Sequence, residues 1–130
     1  MTSDKLSILK EKYLSEGYTG YKVVNIRCPK DGTDCSDYIT GIIENAGDHT
    51  IFSFDTGRYL IKSYALVKGK KDIIIEGNNS TFLQHYDSQN YSENSSHIFH
   101  IEECENVVMR NIIVDSHSAT QISGTVINVG

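Results

Sequence analysis

The sequence is poor in proline, tryptophan and cysteine: of its 130 residues one is Pro, three are Cys and none is Trp. Three cysteines are too few for the disulfide scaffolds that hold small secreted domains together. Cys28 and Cys35 flank a turn-rich stretch and can be bridged in an oxidising compartment, while isolated thiols are the simpler expectation. The scattered histidines and cysteines show no metal-ligand spacing, so we expect neither a metal site nor a cofactor.

The sequence also lacks long apolar runs and basic clusters. No stretch approaches the roughly 18–20 consecutive apolar residues that span a bilayer, and the charged residues 1–12 do not resemble a signal peptide. Twelve Lys and Arg against 17 Asp and Glu give a net charge of −5. Because binding to a phosphate backbone depends on clustered positive charge, we expect no nucleic acid and no membrane as partner. An uncharged or cationic ligand fits the composition better.

Helical periodicity is confined to the first part of the chain. Apolar residues recur at helical spacing in Asp4–Ser15 and again in Ser36–Asn45, and the β-branched run Tyr21–Ile26 between them predicts a strand. In the second helix the apolar face is formed by Ile39, Ile42, Ile43 and Ala46. This face predicts that the helix covers the end of whatever structure follows it.

From residue 50 onward the period becomes strand-like, with short β-rich runs separated by Gly, Asn, Asp and Ser. Lys71–Asn78 and Glu105–Ile112 share one pattern at an offset of 34 residues: charge, Asx, three aliphatics, charge, then Gly or Asn. Such a repeat predicts a solenoid of strands joined by tight turns. The chain then divides into a cap region, 1–49, and coils, 50–130, with a polar loop inserted at 85–96. Gly77-Asn78-Asn79 and Asn111 are interpreted as turn residues that hold the coil and carry no chemistry.

Several motifs carry a family resemblance. Four segments resemble the N-terminal part of the right-handed parallel β-helix superfamily, which includes polygalacturonases, pectate-lyase-like enzymes and phage tailspikes. They are the turn Asp31-Gly32-Thr33-Asp34, the following helix, the run 51–61 and the rung 104–114. The resemblance implies an all-β fold: a right-handed single-stranded parallel β-helix of about three coils with an N-terminal α-helical cap. A β-sandwich is the alternative, because short strands with turn signals also suit that class.

The same resemblance implies a carbohydrate-active protein. The expected function is the N-terminal part of a glycoside hydrolase or lyase acting on a polysaccharide, with this segment forming cap and groove wall and most catalytic residues outside it. The alternative is a non-catalytic glycan-binding, adhesin-like or tailspike-like module. The expected partners are a carbohydrate ligand and a second chain or second copy that covers the open C-terminal coil. We expect the parent protein to be secreted or at the cell surface.

Two sets of residues are candidates for ligand contact. If Phe99 and Ile101 point inward, period 2 turns His100 and Asn128 outward on one sheet, where they can line a sugar-binding groove or be ordinary solvated residues. The inserted loop combines aromatic rings with hydrogen-bonding groups, the types that stack on and bind sugars, at His85, Tyr86, Asp87 and Tyr91. A polar loop without a ligand is the other interpretation of that segment.

Overall fold

A computed structural model of the chain describes residues 2–27, 34–61, 64–84, 98–116 and 127–129. In these ranges two helices and eight strands are formed. The helices are α1 (Thr2–Ser15) and α2 (Ser36–Asn45). The strands are β1 (Lys22–Ile26), β2 (Thr50–Phe54), β3 (Arg58–Ile61), β4 (Ala65–Lys68), β5 (Lys71–Gln84), β6 (Phe99–Glu102), β7 (Glu105–Ser116) and β8 (Ile127–Val129).

All described strand pairs are parallel. The larger sheet runs β1-β2-β5-β3, with β7 paired along β5, and the smaller sheet runs β4-β6-β8. The predicted 34-residue register is confirmed on both sheets, because Lys71 pairs with Glu105 and Ala65 pairs with Phe99. Parallel pairing therefore organises the strands, and the 34-residue offset holds for these pairs but not for others, such as Lys22 with Thr50 or Thr50 with Ile73.

The strands β5 and β7 are long because each continues through a bend. The first half of β5 pairs with β2 and its second half with β3. At the bend Asn78, Asn79 and Asn111 adopt left-handed backbone conformations, with φ of 51°, 64° and 55°. Asn tolerates this region better than most residues, so the predicted turn chemistry is confirmed at these three positions. Gly77 has another role: a Cβ there would overlap the carbonyl oxygen of Asn111.

The main core lies between the two sheets and contains an aromatic cluster. The rings of Phe54 and Phe82 meet edge to face at 5.3 Å, Tyr59 stacks on Phe82 at 5.1 Å, and Phe82 contacts Phe99 at 5.5 Å. All four side chains are fully buried. The Tyr59 hydroxyl donates to the carbonyl of Asp55 at 2.7 Å, so its one polar group is satisfied.

A second apolar cluster lies on the opposite face of the larger sheet, under α1. Tyr13 of α1 packs there with Val23, Ile51 and Ile74, which are contributed by β1, β2 and β5. Every residue of β2 is consequently buried, whichever face it points to. This part of the sheet is covered on both faces, as parallel sheets usually are.

Helix α2 covers the β4 edge of the smaller sheet. Ile39 and Ile43 are buried in the main core, and the Thr40 hydroxyl accepts a hydrogen bond from the backbone N–H of Leu66 at 2.8 Å. Lys70 donates to the carbonyls of Glu44, in the last turn of the helix, and of Ala46, directly after it. The helix thus satisfies one backbone group of an edge that would otherwise be available for other strands.

The predicted fold class is wrong. About 53% of the described residues are strand, but the two helices make the protein a mixed α/β structure with parallel sheets, and its described residues form no closed solenoid. The all-β interpretation, a single-stranded parallel β-helix of about three coils, treated α1 as part of a cap. Because α1 builds its own apolar cluster against an outer sheet face, it forms a further layer of the fold.

Candidate functional site

A row of polar residues crosses the larger sheet on the face that α1 covers. Asn25 pairs with Ser53, Ser53 with Glu76, and Glu76 with Arg110. Because neighbours in parallel register point to the same face, these four side chains lie side by side. They interrupt otherwise apolar strands.

Glu76 is the buried centre of this row, with its side chain 2% exposed. Its carboxylate accepts hydrogen bonds from the Arg110 Nε, from the Asn78 backbone N–H at 2.8 Å and from the Asn111 amide at 2.9 Å. Burial raises the pKa of Glu76, but the bonds from Asn111, Asn78 and Arg110 together hold that pKa below its ordinary value. The carboxylate is therefore ionised and fully engaged.

Arg110 links this carboxylate to α1 and the turn after it. Its guanidinium donates to the Glu16 carboxylate at 2.8 Å and to the Tyr18 hydroxyl at 3.2 Å. Burial lowers the pKa of Arg110, but the hydrogen bonds to Glu16 and Glu76 outweigh burial and raise it. One permanently charged side chain thus joins segments that are more than 90 residues apart in the sequence.

Tyr13 and Asn78 complete the network around Ser53. The Tyr13 hydroxyl donates to the Ser53 Oγ at 3.0 Å, and the Asn78 amide donates to the same oxygen at 3.0 Å. Burial raises the pKa of Tyr13 even though the Ser53 bond opposes it, so the phenol keeps its proton and acts as a donor. The amide of Asn78 also donates to the carbonyl of Phe54 at 2.9 Å, which fixes its orientation.

A cleft of about 460 Å³ opens beside this network, between α1 and the bend of the larger sheet. Its α1 side is formed by Leu9 and Lys12. The remaining lining is mostly amide, hydroxyl and carboxylate groups, from Asn25, Ser53, Asp55, Thr56, Asn78, Asn79 and Asn111, with Phe54. The cleft therefore offers many hydrogen-bonding groups and little apolar surface.

Asp55 is the one carboxylate among the described residues that line the cleft. Its Oδ1 accepts from the Asn25 amide at 3.0 Å, and its Oδ2 accepts from the Arg27 Nε at 3.1 Å. Thr56 donates from its hydroxyl to the carbonyl of Asn78 at 2.7 Å. The Lys12 amino group donates to the side-chain oxygen of Asn78 at 3.5 Å.

The two sheet residues predicted to bind ligand lie elsewhere. His100 pairs with Asn128 on the smaller sheet, while Phe99 and Ile101 point into the core, so the predicted alternation is observed. The His100 ring lies 5.5 Å from the ring of Tyr64 and 3.3 Å from the Glu102 carboxylate. His100 does not line the polar cleft.

The four loop candidates, His85, Tyr86, Asp87 and Tyr91, lie outside the described residues. Cys28 also lies outside them, so the alternative of a Cys28–Cys35 bridge is not tested. The sequence reasoning missed the cleft, because it assigned Asn78, Asn79 and Asn111 to turn formation alone. The available signal was the placement of Ser53 and Glu76 within apolar runs, since a polar residue there needs a partner.

The fold and the cleft define a mixed α/β protein with a polar surface site beneath its N-terminal helix. No protein-family model matches the chain, and neither curated proteins nor solved structures show a significant similarity to it. Among the described residues, no three His, Cys, Asp or Glu side chains converge to hold a metal ion. Neither α1 nor α2, the helices of the described part, has the length and apolar character of a bilayer-spanning segment.

Proposed function

We propose that this chain binds carbohydrate in the polar cleft and does not cleave it. The observation that carries the proposal is the lining itself, which presents amide, hydroxyl and carboxylate groups around a volume of about 460 Å³. Sugar hydroxyls both donate and accept hydrogen bonds; the Asp55 carboxylate can accept them, and the exposed Asn79 amide can do both. The negative net charge and the Asp55 carboxylate in the lining both disfavour an anionic ligand.

The arrangement of the cleft supports binding because its groups are already positioned. Asn78 is held by bonds to Ser53 and Phe54, and Asp55 is held by Asn25 and Arg27. A ligand that meets fixed groups loses less free energy to side-chain ordering than one that must organise them. Asn79 is an exposed amide of the cleft lining, with φ of 64°.

The carboxylates of the region argue for binding without hydrolysis. Glycoside cleavage generally needs two carboxyl groups placed across one bond, one of them able to donate a proton. Asp55 has no second carboxylate facing it among the described lining residues. Glu76 is close to the cleft, but it is buried, ionised and bonded to Arg110, so it is not a proton donor.

The test is calorimetric titration of the full chain with a panel of neutral hexose oligosaccharides and uronic-acid oligosaccharides. We expect a neutral member to bind, and we expect Asn79→Gly to weaken binding about tenfold, as the loss of one or two hydrogen bonds implies. Glycine accepts the left-handed backbone at this position, so the variant removes the amide without straining the turn.

Glu103→Gly is the matched control, because Glu103 also has a left-handed backbone, with φ 55°, and lies outside the cleft. It should bind like the unmodified chain. Binding to no member of the panel, or equal weakening by both variants, would contradict the proposal. Release of reducing ends from any panel member would show cleavage and support the hydrolase or lyase alternative instead.

A further inference from the structure

Strand β7 presents an unpaired edge among the described residues. It pairs with β5 along one side, and no described strand lies along its other side. Val108 and Ile113 on this strand are 42% and 47% exposed, among the most exposed large apolar side chains of the described chain. An exposed apolar edge strand is a template for pairing with another strand.

The side chains of β7 repeat the same order in both directions from the bend between Arg110 and Asn111. The bend divides β7 into two arms, one before it and one after it. Outward from the bend each arm carries a half-buried apolar residue, an exposed apolar residue and a second half-buried apolar residue. On one arm these are Met109, Val108 and Val107, and on the other they are Ile112, Ile113 and Val114. A strand with such a palindromic pattern is complementary to a second copy of itself running in the opposite direction.

Charge disfavours the two neighbouring registers. When the two copies pair about the bend, Glu105 stands opposite Ser116 and Asp115 stands opposite Asn106, so no like charges meet. A shift by one residue in one direction sets Glu105 against Asp115, and a shift in the other direction sets Val107 against Asp115. Like charges directly opposite each other destabilise strand pairs, and so does a carboxylate placed against a core residue.

We propose that two copies of this chain associate through β7, pairing antiparallel about the bend between Arg110 and Asn111. The interface is isologous, because each copy uses the same strand and the two arms exchange roles. Val108 of one copy packs on Ile113 of the other, while the half-buried residues of the facing arms extend the core across the interface. The observations behind this proposal are separate from those behind carbohydrate binding, although Asn111 belongs both to the bend and to the cleft lining.

The test is analytical ultracentrifugation of the full chain over a concentration series. We expect a dimer, and we expect Val108→Lys and Ile113→Glu each to raise the dimer dissociation constant by at least about tenfold, because each places an unpaired charge in the centre of the interface. Both positions are exposed in the single chain, so the variants retain the fold. Circular dichroism checks this point.

The double variant Val108→Lys with Ile113→Glu tests the register. In the proposed dimer each Lys faces a Glu of the other copy, so the double variant should regain dimerisation that both single variants lose. Ile8→Glu, on the 66% exposed position of α1, is the control and should leave the dissociation constant unchanged. A monomer at every concentration, single variants that dimerise normally, or a double variant without recovery would overturn the proposal.

Discussion

Replacing Arg110 by methionine tests whether the buried ion pair holds α1 on the sheet. Arg110 is 29% exposed and Glu76 is 2% exposed. The substitution therefore leaves the Glu76 carboxylate without its charged partner and with almost no access to water. Removing one partner of a buried pair typically costs about 3–5 kcal/mol. Because Arg110 retains some contact with solvent, we expect the lower end, a loss of about 3 kcal/mol in the free energy of unfolding. Urea unfolding followed by circular dichroism measures it.

The loss should depend on pH in a defined direction. In the unmodified chain the pKa of Glu76 is lowered, so its stabilising effect is present above the unfolded-state pKa and disappears as the pH falls through the folded-state pKa. Without Arg110, only the bonds from Asn111 and Asn78 oppose burial, so the pKa of Glu76 should lie higher in the variant than in the unmodified chain. The difference in unfolding free energy between Arg110→Met and the unmodified chain should therefore narrow from about pH 7 to about pH 4, because Glu76 is protonated at a higher pH in the variant.

Arg27→Met is the matched control for this experiment. Arg27 also pairs with a carboxylate, Asp55, but its side chain is 64% exposed, so its removal should cost at most about 0.5 kcal/mol. The double variant Glu76→Gln with Arg110→Met removes the unpaired buried charge and should recover part of the lost unfolding free energy. The reasoning fails if Arg110→Met costs no more than Arg27→Met, or if its deficit is equal at both pH values.

Two further substitutions test the bend and the edge helix. Gly77→Ala should destabilise the chain by roughly 2–3 kcal/mol, because the added Cβ lies 2.9 Å from Cγ1 of Ile112 and overlaps the Asn111 carbonyl. Gly47→Ala is the control, because a Cβ there meets nothing within 4 Å. Its free energy of unfolding, measured by the same chemical denaturation, should be close to that of the unmodified chain. Ile42→Asp should lower stability by about 2 kcal/mol or more, since Ile42 packs against the main core, while Tyr38→Asp at an exposed site of α2 should change the thermal midpoint little.

The strands and their register were predictable because they depend on local and periodic signals. The 34-residue offset places Ala65 beside Phe99 without any knowledge of the fold, and the Asn residues of the bend mark its left-handed positions. The helix Ser36–Asn45 is observed within the predicted bounds, because its apolar face is continuous. These features need only neighbours in sequence or one repeat length.

The fold class was not predictable in the same way, because it depends on what α1 covers. The run Thr50–Phe54 has no strict alternation, because Ile51 and Phe52 are adjacent apolar residues that point to opposite faces. Such a run is compatible with one buried face and an apolar residue in solvent, or with two buried faces. The structure shows the second arrangement, with Tyr13 of α1 packed on the outer cluster. Nothing in the periodicity of either segment specifies that contact.

The ion pair shows how the two kinds of information combine. The 34-residue offset alone sets Glu76 beside Arg110, and opposite charges at neighbouring positions of a parallel sheet attract each other. On an open sheet face that pair would be solvated and worth little. Because Glu16 and Tyr18 approach from the turn after α1, the same pair is buried and bridges the helix to the sheet. The cleft beside it exists only because that helix stays in place, so the stability of the ion pair and the geometry of the proposed binding site are coupled.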